Sequence, residues 1–376
     1  MNLFFCGDIM PGGVLEYQES YVSQDVLEYL AKFDYRIGTL ECALGNDEMK
    51  FDTEKMSDTC AIIYAKNSSI FRVKQLGINA VSLANNHVMD LGKEGLFNTI
   101  QILDDNGILH FGAGRNVDEA KRPIVIKTAD GKSVAIIGCL FQGVAPKIYH
   151  EASKTEAGVY RTSIDEIYSD IKCLKKQYDF VVVMPHWAKE FSTLPPAYCK
   201  TYVRRMVDAG VDLVIGSHPH IINPVVSLHG VPIFYSLGNF LFPDICLAPP
   251  RPMSYPDTLS NLKRVWAYPK RIKDSVISVG KGSSRIGMSA NVLIDSSVSS
   301  TYQLFALHQD NTLHLFKGFG YKVQSLRLSF YAFCMHLPFY STICRFYLSK
   351  HNVIRKWWHS LLDVMGVSYD VKVSLD

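Results

Sequence analysis

The stretch Ser82-Leu-Ala-Asn-Asn-His87-Val-Met-Asp90-Leu-Gly92 decides the fold of this chain. The apolar run over 78–83 reads as a buried strand, and 92–103 carries the apolar spacing of a helix. An amide, an imidazole and a carboxylate are therefore held at the C-terminal end of a strand. In open α/β sheets that is where ligands and catalysis sit.

Working outward, the arrangement recurs. Strands are expected over 2–7, 35–40, 180–184 and 212–215. Each runs into polar residues: Asp8, then Glu41, then His186 with Glu190, then Gly216-Ser-His218-Pro-His220. One Asp after a strand is more often a helix N-cap than a ligand, and one His is more often a satisfied core residue. Five clusters at strand C-terminal ends point instead to a shared site. Carboxylates, a neutral side-chain oxygen and imidazoles are the donor set for divalent metals held close together. If the His218-Pro-His220 segment is extended, both rings project to the same side.

The remaining text is mostly alternating. Helices are expected over 68–76, 92–103, 163–177 (opened by the capping box Ser163-Ile-Asp-Glu166) and after Pro195-Pro196 to Gly210. Hairpins are expected around Asp130-Gly131 and over 225–236. Residues 243–273 hold six prolines and read as a long loop or insertion; short strands follow over 275–278, 288–294, 302–308 and 312–316. Crossover helices early and hairpins late suit an α/β sandwich of two packed sheets flanked by helices.

Composition bounds the function. The 376 residues are 48% hydrophobic and 20% charged, and a net charge of +3 is too small to argue for nucleic acid. Nine cysteines, an odd number with no CxxC pair, fit free thiols in a reducing, cytoplasmic setting rather than a disulfide framework. No signal peptide is expected, because the run Leu3-Phe4-Phe5-Cys6 is short and Asp8 follows it. Nor is a spanning helix expected.

The order D…E…NH…H…HxH resembles the calcineurin-like metallophosphoesterase pattern. The surrounding text is similar to one branch of it, the CapA/PgsA-type proteins of poly-γ-glutamate and capsule synthesis. The similarity rests on Gly7-Asp8-Ile-Met10, Leu40-Glu41, Leu83-Ala-Asn-Asn-His87 with Asp90 and Gly92, Gly112-Ala-Gly114, His186-Trp187 with Glu190, Gly216-Ser-His218-Pro-His220 and Tyr235-Ser-Leu-Gly-Asn-Phe240. It covers residues 1–242 and, by extension, a domain to 316. The resemblance implies a metallophosphatase-like sandwich with one or two divalent ions (Mn, Fe or Zn). Asp8 and His220 match ligands of one ion, and Asn86, His186 and His218 match ligands of the other. Glu41 takes the place of the bridging carboxylate. His87 matches the residue that protonates the leaving oxygen, with Asp90 orienting its ring. Glu190 reads as a general base or as a partner that holds His186. Asn239 reads as a substrate donor or a turn asparagine.

Four departures accompany the resemblance. Met10 stands where phosphoesterases carry a ligand His, Glu41 stands one methylene longer in place of the bridging Asp, Thr39 replaces the Asn of Asn-Leu-Glu, and Ala188 follows His-Trp in place of Gly. The expected substrate is phosphorylated or polyanionic, and the expected partners are polymer synthases. A general phosphoesterase and a non-catalytic scaffold of a membrane synthase complex are the rival readings.

The tail 317–376 lies outside the resemblance. From Tyr321 to Asp376 there are seven Lys and Arg against three Asp and Glu, so the first 320 residues carry −1 of the chain's +3. Over 321–365 the tail is aromatic and basic. It reads either as a segment lying on an anionic membrane surface or as a helical pair packed on the core.

Overall fold

A computed structural model describes residues 1–46, 49, 62–141, 150–247, 266–267, 276–278 and 282–346. Among them, an eight-stranded sheet and a seven-stranded sheet pack face to face. The eight-stranded sheet runs, in space, Leu313–Leu315, Val298–Leu307, Ile286–Ile294, Asn2–Ile9, Tyr35–Leu40, Ala80–Ser82, Leu109–Phe111, with Asn239–Leu241 also on Asn2–Ile9. The seven-stranded sheet runs Arg161–Thr162, Ser133–Phe141, Phe180–His186, Leu213–Ile215, Val231–Phe234, Val225–Leu228, with Ile124–Lys127 on Ser133–Phe141. The site-bearing strands Asn2–Ile9, Tyr35–Leu40 and Ala80–Ser82 are mutually parallel, as are Phe180–His186 and Leu213–Ile215.

The near-continuous apolar runs follow from burial on both faces. Leu3, Phe5, Val182 and Met184 point into the layer between the sheets, while the alternate residues Phe4, Cys6, Val181 and Val183 point to the outer layer beneath the helices. The two-sheet α/β sandwich with outer helices is the expected architecture.

Local signals act as read. Ser163 Oγ accepts from the Glu166 amide, and the Glu166 side chain accepts from the Ser163 amide, opening the helix Ile164–Leu174. Gly210 ends Ala197–Ala209 with φ 100°. The hairpin Ile124–Lys127 with Ser133–Phe141 turns at Gly131, φ 85°. The seven cysteines whose side chains are described are free.

Short strands occur within the span 243–273, read above as a long loop or insertion. Ile245–Leu247 pairs antiparallel with Val276–Ser278, and Trp266–Ala267 lies parallel to Ile62–Lys66. Residues 248–265 and 268–273 lie outside the described residues, as does the tail beyond 346 with Trp357 and Trp358. Up to 346, the tail is the helix Gly318–His336 followed by a helical stretch over 340–346.

Candidate metal centre

Parallel strands in both sheets bring their C-terminal ends to one edge, and the polar clusters meet there. Asp8 lies inside Asn2–Ile9, which is longer than expected, and pairs in register with Thr39 on one side and Asn239 on the other. Gly7 permits this: a Cβ at that position would lie 1.8 Å from Gly238 O. Glu41 follows Tyr35–Leu40. His186 is the last residue of Phe180–His186, and His218 and His220 follow Leu213–Ile215. Gly216 is again obligatory, since a Cβ would meet Tyr235 O at 2.1 Å and Trp187 Nε1 at 2.6 Å.

Donor atoms converge on His186. Its Nε2 lies 2.8 Å from Asn86 Oδ1, 3.1 Å from His218 Nδ1 and 3.4 Å from Glu41 Oε1. His220 Nδ1 lies 3.6 Å from both Asp8 Oδ2 and Glu41 Oε2 and 2.9 Å from Asn239 Oδ1. Three sets have donor atoms within 4.8 Å of one another: Glu41, His186 and His218; Asp8, Glu41 and His220; and Glu190, His218 and His220. Asp8 Oδ1 and both Glu41 carboxylate oxygens are buried with no hydrogen-bond partner. Buried carboxylate oxygens that lack hydrogen bonds and are flanked by imidazoles fit a divalent cation.

The electrostatics reflect this crowding. Burial, then the Glu41 charge, pushes the Asp8 carboxyl well up. Burial alone would raise Glu41 too, but His220 and then His186 hold it below the ordinary carboxylate value. Burial pushes His186 and His218 down, so both stay neutral and able to ligate. His220 is the opposite case. Burial depresses it, but the Glu41 and Asp8 carboxylates raise it to about 9.

His87 stands apart from the ligand atoms. Its Nδ1 meets Asp90 Oδ2 at 2.8 Å, and the same oxygen accepts from the Ile63 amide at 2.5 Å. Asn85 fixes the turn: Oδ1 accepts from the amides of His87 and Val88, and Nδ2 donates to Leu40 O. Sequence reasoning assigned Asn85 no part. It also missed Ser217, whose Oγ meets His186 Nδ1 at 2.9 Å.

Glu190, Asn239 and the HxH segment take the following places. Glu190 is exposed and stands with His218 and His220, while Ser217 takes the place beside His186. Asn239 holds His220 with Oδ1 and donates from Nδ2 to Ser284 O. The HxH segment is not extended: His218 has φ 95° and His220 φ 57°, so left-handed turns rather than strand alternation bring the rings together. Such strain is sustained where the surrounding structure fixes it, characteristically at functional sites. Met10 is fully buried, and its sulfur accepts from the Gly12 amide at 3.2 Å.

Comparison with known proteins agrees with the sequence resemblance. Residues 2–244 match the family model described as bacterial capsule synthesis protein PGA_cap. The PGA biosynthesis protein CapA of Bacillus subtilis is 31% identical over 247 residues, covering 64% of this chain and 63% of that protein. The capsule biosynthesis protein CapA of Bacillus anthracis is 32% identical over 252 residues, covering 64% and 60%. The chain thus spans less than two thirds of these relatives' lengths. Among solved structures, a phosphatase from Mycoplasma pneumoniae is similar with a TM-score of 0.42 and 12% identity, over 84% of this chain and 90% of that one.

Proposed function

The chain belongs to the bacterial capsule synthesis protein PGA_cap family, and on that footing we propose that it serves capsule or poly-γ-glutamate synthesis as a metal-dependent hydrolase or transferase. The reading rests on the unpartnered buried oxygens of Asp8 and Glu41. Leaving buried carboxylates uncompensated costs several kcal/mol, which a cation between them offsets.

Glu41 belongs to both principal donor sets and would be shared between two ions. Asp8 and His220 would hold one ion; Asn86, His186 and His218 would hold the other. Glu190 would supplement the first of these, where Met10 offers no hard donor. The ion, Mn, Fe or Zn, would supply Lewis acidity toward a phosphoryl or carboxyl oxygen. Asp90 fixes the His87 ring through Nδ1 and leaves Nε2 to deliver a proton to the leaving oxygen. A phosphorylated or polyanionic substrate suits such a centre, and polymer-synthase proteins are the partners the relatives' names suggest.

Elemental analysis of purified protein should find one or two equivalents of transition metal, and Mn²⁺-loaded protein should turn over an activated phosphodiester. Protein that takes up none of the three metals overturns the reading. Cells carrying His87→Ala should lose polymer; full production would leave only a scaffold role.

A further inference from the structure

Six large apolar side chains, Phe319, Leu326, Phe330, Phe333, Phe339 and Phe346, are 55–71% exposed, whereas no other described large apolar residue exceeds 48%. Four of them, 319, 326, 330 and 333, follow the spacing of one stripe along Gly318–His336. The opposite side of the same segment is anchored. Leu328 joins the core between the sheets, Met335, Tyr340 and Cys344 join the outer core, and Tyr340 Oη donates to Pro195 O at 2.6 Å. The segment therefore cannot turn its phenyl stripe inward without giving up that packing. Exposed apolar area on this scale marks an interaction surface.

Charge identifies the occupant. Between Asp310 and Asp363 the sequence has no Asp or Glu and seven Lys and Arg. Lys322 and Arg345 are exposed within the same segment as the stripe. A second copy docking face to face would set these cations against each other. An anionic bilayer attracts them and accepts phenyl rings at the headgroup boundary. No helix among the described residues is long and apolar enough to cross a membrane, so the segment lies on the surface.

We propose that residues 318–346 dock the protein on an anionic lipid surface through this phenyl stripe and its basic neighbours. The proposal is independent of the metal centre. The test is flotation of the full chain with lipid vesicles. Binding is expected to phosphatidylglycerol-containing vesicles, with far less to pure phosphatidylcholine, and with a decrease at high salt. Phe330→Asp with Phe333→Asp should reduce binding at least about tenfold, since both phenyl rings would lose their burial in the bilayer, while the melting temperature is unchanged. Lys322→Glu with Arg345→Glu should weaken binding several-fold at low salt only. Absence of wild-type flotation, or flotation that neither variant changes, overturns the proposal. Self-association abolished by the Phe variant without vesicle binding would assign the stripe to a second copy and likewise overturn it.

Discussion

Glu41→Gln tests the metal centre at its most connected residue. Glu41 is common to the set with His186 and His218 and the set with Asp8 and His220. Glutamine keeps the shape and removes the charge. At a metal concentration a hundred times Kd, binding stabilises a fold by about 2.7 kcal/mol, roughly 3 °C in melting temperature for a chain of this size. Outer-shell partners alone are worth about 10–100-fold in affinity, so loss of a shared carboxylate should weaken binding at least about 100-fold. At the same metal concentration the stabilisation then falls to about 0.4 kcal/mol, under about 1 °C. His186→Ala removes a donor from the first set only and should leave up to one ion bound. The assay is a Mn²⁺ titration of chelator-treated protein followed by thermal unfolding, with metal content measured in parallel. A Glu41→Gln protein with wild-type metal content and wild-type thermal increment would refute the shared-carboxylate arrangement.

Asp90→Asn should keep metal content and lower turnover of an activated phosphodiester by about 10²–10⁴; turnover within a few-fold of wild type would remove His87 from proton transfer. Ala188 has φ 73°, a left-handed cost of about 1–2 kcal/mol partly offset by the greater chain entropy of glycine, so Ala188→Gly should be neutral or stabilising by up to about 1 kcal/mol in urea unfolding. Asp244 Oδ1 accepts from the buried Arg285 Nη2 at 2.5 Å, and Asp244→Ala should cost about 3–5 kcal/mol by the same measurement. In chelator-treated protein, His220, raised to about 9 from an ordinary 6.5, contributes stability that is complete below about pH 6.5 and lost as pH rises through 9. The melting temperature should fall across that window, and His220→Asn should flatten the fall.

Much of this was legible because burial on both faces writes long apolar runs. The strands Asn2–Ile9, Phe180–His186 and Ser133–Phe141 could be read, and with them the polar residues at their ends. Some short strands could not. Ala43–Gly45 and Asn239–Leu241 have three residues each, too few to show a period, and exist because a neighbouring strand pairs with them, whereas the equally short Ala80–Ser82 lies within the longer run 78–83. Asn85 and Ser217 were missed because their work is local: a turn asparagine and a serine between glycine and histidine look the same in sequence whether or not they hold a catalytic or ligating ring. The left-handed turns at His218 and His220 carry little residue signal, since histidine is enriched there among non-glycine residues but still adopts that conformation in only a small fraction of cases.

Those turns bear on the position where the phosphoesterase pattern fails. Met10 is a packing residue, its sulfur engaged by the Gly12 amide, so one side of the centre has Asp8 but no second donor from the first strand. The loop after Phe180–His186 lies across that centre. Ala188 and Phe191 both adopt positive φ, the Phe191 amide donates to Pro219 O at 2.8 Å, and the Phe191 ring packs 5.7 Å from the His220 ring. These contacts tie the loop to the HxH turn and carry Glu190 into a common donor set with His218 and His220. Two left-handed non-glycine residues cost about 1–2 kcal/mol each, which a loop with no positional task would relax away. On the proposed reading the strain has a use: it holds a carboxylate from a distant strand beside the imidazole that Met10 leaves under-supported.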